Sequence, residues 1–379
     1  MVVLGVGGTV AAFCLFGGLG GLVKTGPSDP LEAIPRASFI AATLDFAELR
    51  RSPVYEVFFG KEAPGADPMR RALGVSALAE ACGFDPATRV QRVAVSVPEE
   101  GDRGEFGVAA KVEVTRDELE TCTRALADKR GGHAETHDVG SFVVLEDTST
   151  GAGSAARPRL AYGRGGLLVV GKGTWFDAML GAADHTKPGL RDAAEHVALR
   201  ASLTSHDGFR APTLLATAIL PRSLRDRLKG EMNAEAGSQD TSSVIMAGVL
   251  GVSAVGVAIK AGGPGQNVDA SVELVCDDAA ACEAVDRLAQ KKRGEWSRDL
   301  TLRMIGFGQL LDSFEVKRDG ARLRATASVS ADALASTIER VLKLRARQGA
   351  GVAPPPRPSM PGVPDETLRA RPDGATDAR

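Results

Sequence analysis

A chain of 379 residues with 44% hydrophobic and 25% charged side chains has the length of two ordinary domains and the make-up of a globular protein. A formal net charge of −2, with no acidic tail and no polybasic run that stands out as a membrane patch, excludes the electrostatic footprint of a nucleic-acid binder. Aromatic residues make up only 4%, so the core must be built from Val, Leu, Ile and Ala.

Residues 1–23, MVVLGVGGTVAAFCLFGGLGGLV, carry no charged side chain. As a helix at ~1.5 Å per residue they would reach roughly 34 Å, enough to cross a bilayer. The stretch is apolar on every face, which argues against a buried helix of a globular domain. No small-x-small site follows it, which favours an uncleaved transmembrane anchor over a cleaved signal peptide. Cys14 follows Phe13 rather than a small residue, so the segment lacks a lipobox. Seven glycines lower its hydropathy and no basic residue precedes it; a basic leader upstream of Met1 would supply the missing orientation signal. Gly17 and Gly21 make a GxxxG spacing, which in so glycine-rich a segment reads as composition. The expected location is the bacterial inner membrane, crossed once, with the remaining chain on the periplasmic side.

Residues 24–36, with Pro27, Pro30 and Pro35, read as a linker. Beyond it the chain shows an internal duplication: a first repeat over 37–190, a connection over 191–211 and a second repeat over 212–347. Each begins with a buried strand running into a helix, at Phe39–Leu44 and at Thr213–Ala218. Asp45 with Glu48 makes a capping box for the first of these helices, and Pro221 suits the first turn of the second. Next come matching strands, Val93–Val97 and Val255–Ile259, each joined to its successor as an antiparallel hairpin. At a spacing of 160 residues, Val112-Glu113-Val114 with Cys122 is matched by Val272-Glu273-Leu274 with Cys282. Both read as an alternating strand turning into an amphipathic helix, with Thr115 and Asp277 as N-caps. A closing hairpin and helix end each half, the second around Asp319-Gly320. The halves differ in a Ser/Gly-rich loop at 147–159, in a strand at 141–146 in the first and in a helix at 296–311 in the second. The repeated pentapeptide LGVSA, at 73–77 and 250–254, does not fit the register. Residues 348–379, Pro-rich and without apolar periodicity, read as a disordered tail. The fold class expected is α+β: two tandem repeats of antiparallel sheet, side by side or continuous, with helices packed on one face, preceded by one transmembrane helix.

Four cysteines fall in the region expected outside the cytoplasm, where disulfides persist. Cys276 and Cys282 bracket a strand-to-helix turn, and Cys82 and Cys122 sit on neighbouring helices, so both pairs are expected to bridge rather than remain buried thiols. His133 and His137 make an HxxxH spacing, but after Gly131-Gly132 and before a strand they read as a polar loop rather than a metal pair. His196, with His185 and His206, lies beside carboxylates in the connection and is a weak candidate for acid–base work. Gly166–Thr174 nearly spells a phosphate loop, but Gly173 stands at the magnesium position and the intervening residues are an apolar strand. A GxSxG elbow is missing too. No cofactor and no catalytic residue is therefore expected.

The layout resembles uncharacterised bacterial envelope proteins with one anchor and a repeated αβ ectodomain, a resemblance that implies no activity and assigns no functional residue. The expected function is that of a membrane-anchored, non-enzymatic binding or scaffold module of the cell envelope, with an envelope protein as partner. The alternatives are a carrier of a lipid or other apolar ligand held between the two sheet-helix layers, and a metal- or His-dependent hydrolase built on the histidines.

Overall fold

The computed structural model describes residues 27–60, 75–99, 105–129, 131–147, 158–163, 165–205, 209–235 and 250–350. Twelve strands form one antiparallel sheet. They are β1 (Ser38–Asp45), β2 (Val90–Pro98), β3 (Gly107–Val112), β4 (Ala134–Val139), β5 (Phe142–Asp147), β6 (Pro158–Gly163), β7 (Leu167–Lys172), β8 (Leu214–Ile219), β9 (Val252–Lys260), β10 (Asn267–Cys276), β11 (Glu315–Asp319) and β12 (Arg322–Ser330). Their order across the sheet is β11-β12-β10-β9-β8-β1-β2-β3-β7-β6-β5-β4. Of the two arrangements left open by the sequence, the continuous sheet is the one formed. The seam is the pairing of β1 with β8, with Ala42 opposite Ala216 and Leu44 opposite Leu214. Outward from that seam one side runs β1-β2-β3-β7-β6 and the other β8-β9-β10-β12-β11; the first side then continues into β5-β4.

The ladders correct the register read from the sequence. Val95 pairs with Val108, and Val257 pairs with Val272. Opposite the strands matched in sequence stand Val108 and Val272, and Val108 is four residues from the Val112 that the spacing of 160 selected. Strand β3 ends at Val112, and Glu113 to Thr115 lead instead into the helix Arg116–Lys129. The Thr115 box forms as expected, Glu118 N–H donating to Thr115 Oγ1 at 3.3 Å while Thr115 N–H donates to Glu118 Oε2 at 2.8 Å. Asp45 accepts from Glu48 N–H at 3.0 Å. In the second half Asp278, not Asp277, caps the helix Ala279–Ser297, accepting from Ala281 N–H at 2.8 Å; Asp277 pairs with Arg225 instead.

Helices cover both faces of the sheet, not one. Adjacent residues of a strand point to opposite faces. Ala109 packs with Trp175 and Phe176 of the helix Gly173–Ala183, while Ala110 packs with Leu119 of the helix Arg116–Lys129. On β9, Gly256 lies under Leu199 and Leu203 of the helix Ala194–Thr204, while Val255 packs toward Cys282 and Val285. The two faces are built differently. One offers Ala41, Ala94, Ala109, Ala161 and Ala258, all fully buried, so that Trp175, Phe176, Met179, Leu199 and Leu203 can press onto a nearly flat backbone. A methyl group at Gly256 would lie 2.6 Å from Leu203 Cδ1, so that approach needs glycine. The other face offers Val, Leu and Ile. Strands such as VSAVGVAIK are apolar on both sides, and both sides need cover.

Four segments depart from their expected roles. The connection carries the helix Ala194–Thr204, which buries His196, Leu199 and Leu203. The second half of the linker is docked: Pro30–Ala33 forms a 3-10 turn capped by Asp29, and Ala33 and Ile34 join the core. The helix expected over 296–311 is three helices, Ala279–Ser297, Leu300–Ile305 and Gly308–Ser313, interrupted at Asp299 and Gly306. The last helix, Ala331–Ala350, runs three residues into the segment read as tail. The 1–23 anchor and residues 351–379 lie outside the described residues, as do His206, residues 148–157 of the Ser/Gly-rich loop and the start of the first LGVSA. Among the described residues no helix is long and apolar enough to cross a membrane.

Candidate functional site

The structure separates the histidines. His133 and His137 are exposed, and His137 lies on β4, an edge strand rather than a loop. Four residues apart along extended chain, the pair is separated by roughly 13 Å at ~3.3 Å per residue, too far to share one ion. His196 stands under the β1–β8 seam, six to seven strands from β4 or about 30 Å at ~4.8 Å per strand. His185 is exposed at the end of the helix Gly173–Ala183. No three His, Cys, Asp or Glu groups placed to hold a metal occur among the described residues.

His196 is 2% exposed and is held by both ring nitrogens. Nε2 lies 2.8 Å from the Ser38 carbonyl and Nδ1 lies 2.7 Å from Thr217 Oγ1. A carbonyl can only accept, so Nε2 carries the proton and Nδ1 accepts from the threonine. One ring thus ties β1, β8 and the helix Ala194–Thr204 together. Burial pushes its pKa below the ordinary histidine value, against the hydrogen bond to Ser38 and with help from Arg200. Because the unfolded chain binds the proton more readily, stability rises with pH through this window. Unfolding free energy is expected to fall as pH is lowered from about 7 toward 5.5, and the slope to flatten in His196→Gln; urea unfolding at each pH measures both. An unchanged slope in the variant would remove His196 as its source.

Two charged clusters lie close to the helix Ala194–Thr204. The first lines an open cleft at the end of β1, β2 and β3, with Asp29, Asp45, Gln91, Arg92 and Lys111 on its walls. Arg92 lies 3.2 Å from Asp45 and 3.9 Å from Asp29. Both aspartates also cap helical turns, and Lys111 donates to the Gly165 carbonyl. Nearby Arg200 donates to Thr43 Oγ1 at 2.9 Å; burial lowers its pKa to about 10, offset in part by Asp29, which leaves it cationic at neutral pH. Every charge in this cleft has a structural partner, and its walls are not those of an apolar carrier site.

The second cluster centres on Glu273 of β10, whose side chain is 2% exposed. It accepts from Arg322 at 2.9 Å, from Arg324 of the same strand β12, and from Ser202 at 2.8 and 2.9 Å. The group bolts the helix Ala194–Thr204 to the sheet beyond the apolar contacts. Ser202 Oγ also accepts from Arg324 at 3.1 Å.

The helices after β10 carry a feature that the sequence reading missed. Trp296, Leu300 and Met304 are 51%, 74% and 79% exposed. Helix Leu300–Ile305 packs on helix Ala331–Ala350, which adds exposed Val341 and Leu344. Segments 291–304 and 339–344 together carry seven Lys and Arg against three Asp and Glu. Segment 291–304 alone carries five of the seven basic residues against two of the three acidic ones. The four-residue spacing of Trp296, Leu300 and Met304 was the available signal.

Fold and site together define a disulfide-bonded α+β protein: Cys82 is joined to Cys122 and Cys276 to Cys282. No known protein family and no curated protein matches the chain. Solved structures of TP0453 in crystal forms III and I match it at 12% identity, with TM-scores of 0.42 and 0.38. They cover 82% and 83% of this chain and 98% and 97% of their own. At that distance no residue role transfers, and the functional reading rests on this chain alone.

Proposed function

We propose that the protein is an extracytoplasmic component of the bacterial envelope, held to the inner membrane by residues 1–23 and working as a non-enzymatic binding or scaffold module. The observation that carries this reading is the pair of disulfides, which persist in oxidising compartments and are rare in the cytosol. The uncharged N-terminal stretch supplies the tether, and the folded part is two copies of one unit joined at the β1–β8 seam. The charged groups of the cleft and of the Glu273 cluster are occupied in holding strands and helices together, which leaves the surface for binding.

The test uses cells expressing the full chain. Alkaline carbonate is expected to leave it in the membrane fraction, protease added to spheroplasts to digest it, and alkylation under denaturing, non-reducing conditions to find Cys82, Cys122, Cys276 and Cys282 blocked. Four free thiols, or protection from protease, would overturn the location; a chain released by carbonate and beginning near Lys24 would overturn the tether.

A further inference from the structure

The most exposed apolar side chains among the described residues are held on a rigid support. Asp299 caps the helix Leu300–Ile305, accepting from Thr301 N–H at 2.8 Å. Arg303 donates to the Ser297 carbonyl at 2.7 Å and to Asp312 at 2.9 Å, and the backbone of Gly306 lies against Thr337. Leu300 and Met304, one turn apart, project from the same face of this pinned helix. Thr337, buried against Gly306, shares one face of the neighbouring helix with Val341 and Leu344, which adds two exposed apolar side chains to this pair of packed helices.

From this surface we infer that the protein lies with Trp296, Leu300 and Met304 against an anionic lipid bilayer, the second contact of a chain already tethered by its N-terminus. The inference rests on the envelope reading above for the nearness of a membrane. Three features favour lipid over protein. The surrounding segments carry more Lys and Arg than Asp and Glu even with Lys292, Arg303 and Lys343 paired to Glu295, Asp312 and Glu339, and the long basic stems can lie along the acyl boundary while their charges meet phosphate. A tryptophan at the margin suits the headgroup layer, where an apolar ring and a polar N–H both find partners. The same excess of positive charge opposes a second copy, because a two-fold contact through this face would set Lys and Arg against Lys and Arg.

The chain has only two tryptophans, which makes the test direct. Trp175 is buried in the core with its Nε1 donating to Ser96 Oγ at 3.0 Å, so changes at the surface are reported by Trp296. Full-length protein is reconstituted into vesicles of phosphatidylglycerol carrying brominated acyl chains, and separately into brominated phosphatidylcholine. In the anionic vesicles Trp296 emission is expected to shift to the blue and to be quenched. Both effects are expected to disappear in Leu300→Asp/Met304→Asp and in Trp296→Phe, and to weaken in phosphatidylcholine or high salt. The paired Asp variant changes only exposed positions, and an unaltered urea midpoint confirms that it folds. A chain that floats with the vesicles while Trp296 stays unquenched overturns this inference and leaves the tether standing. A chain that floats only with anionic vesicles, in a manner that needs Leu300 and Met304, upholds it and overturns the tether. A chain that floats with neither overturns both. A blue shift that instead grows with protein concentration in detergent assigns the surface to a second copy and overturns the lipid contact.

Discussion

Replacing Arg322 and Arg324 together by methionine is expected to destabilise the fold by about 3–5 kcal/mol, the usual cost of stranding a buried charge. Glu273 is 2% exposed and has two cationic partners; without them only Ser202 remains to satisfy it. Adding Glu273→Gln to the double variant removes the stranded charge and is expected to recover at least half of the loss. The non-additivity separates a charge effect from lost packing of the arginine stems. Urea midpoints of the double variant, of Glu273→Gln and of the triple variant complete the cycle; a triple variant no better than the double would show that packing, not charge, is what the arginines supply.

Opening the Cys82–Cys122 bridge is expected to cost about 4 kcal/mol, and opening Cys276–Cys282 about 2, the difference following from loop length alone. The first bridge closes a loop between cysteines 40 positions apart and the second between cysteines six apart, so the first removes more freedom from the unfolded chain. Double Cys→Ala variants isolate each bridge, and the wild type unfolded in the presence of dithiothreitol should lose about the sum. Equal losses from the two bridges would contradict this account.

What the sequence made legible was local. The strands β1, β2, β9, β10, β7 and β12 stood out because short runs of Val, Leu, Ile and Ala were bounded by turn residues, and Thr115 with Glu118 marked a helix start within four positions. The closing turn was legible to within one residue: Asp319 ends β11 opposite Arg322, and Gly320-Ala321 make the turn, with Gly320 at φ +55°, a conformation glycine adopts without cost. What stayed hidden was non-local or masked by polar residues. The β1–β8 seam joins Ala42 to Ala216, in different halves of the chain, and no local pattern announces such a pairing. The helix Ala194–Thr204 lies in the segment that reads as a connection, and a histidine stands in its buried stripe beside Leu199 and Leu203. That histidine was legible as a residue type but not as a rivet between strands. The cover on both faces was hidden for a different reason: Ala and Gly look like loop composition, yet here they form the floor on which large helix side chains rest. The exposed apolar strip escaped because Trp296, Leu300 and Met304 fall in a segment that reads as one helix over 296–311, whereas the chain breaks there at Asp299 and Gly306.

The seam also dictates a sequence of events. A polypeptide that appears N-terminus first can close β1 onto β2 at once, but the opposite side of β1 must wait for residues 214–219. Throughout that interval SFIAATLD presents a row of bare amides and carbonyls to whatever stands nearby. A protein assembled this way depends on keeping its oldest strand unclaimed until its youngest half arrives.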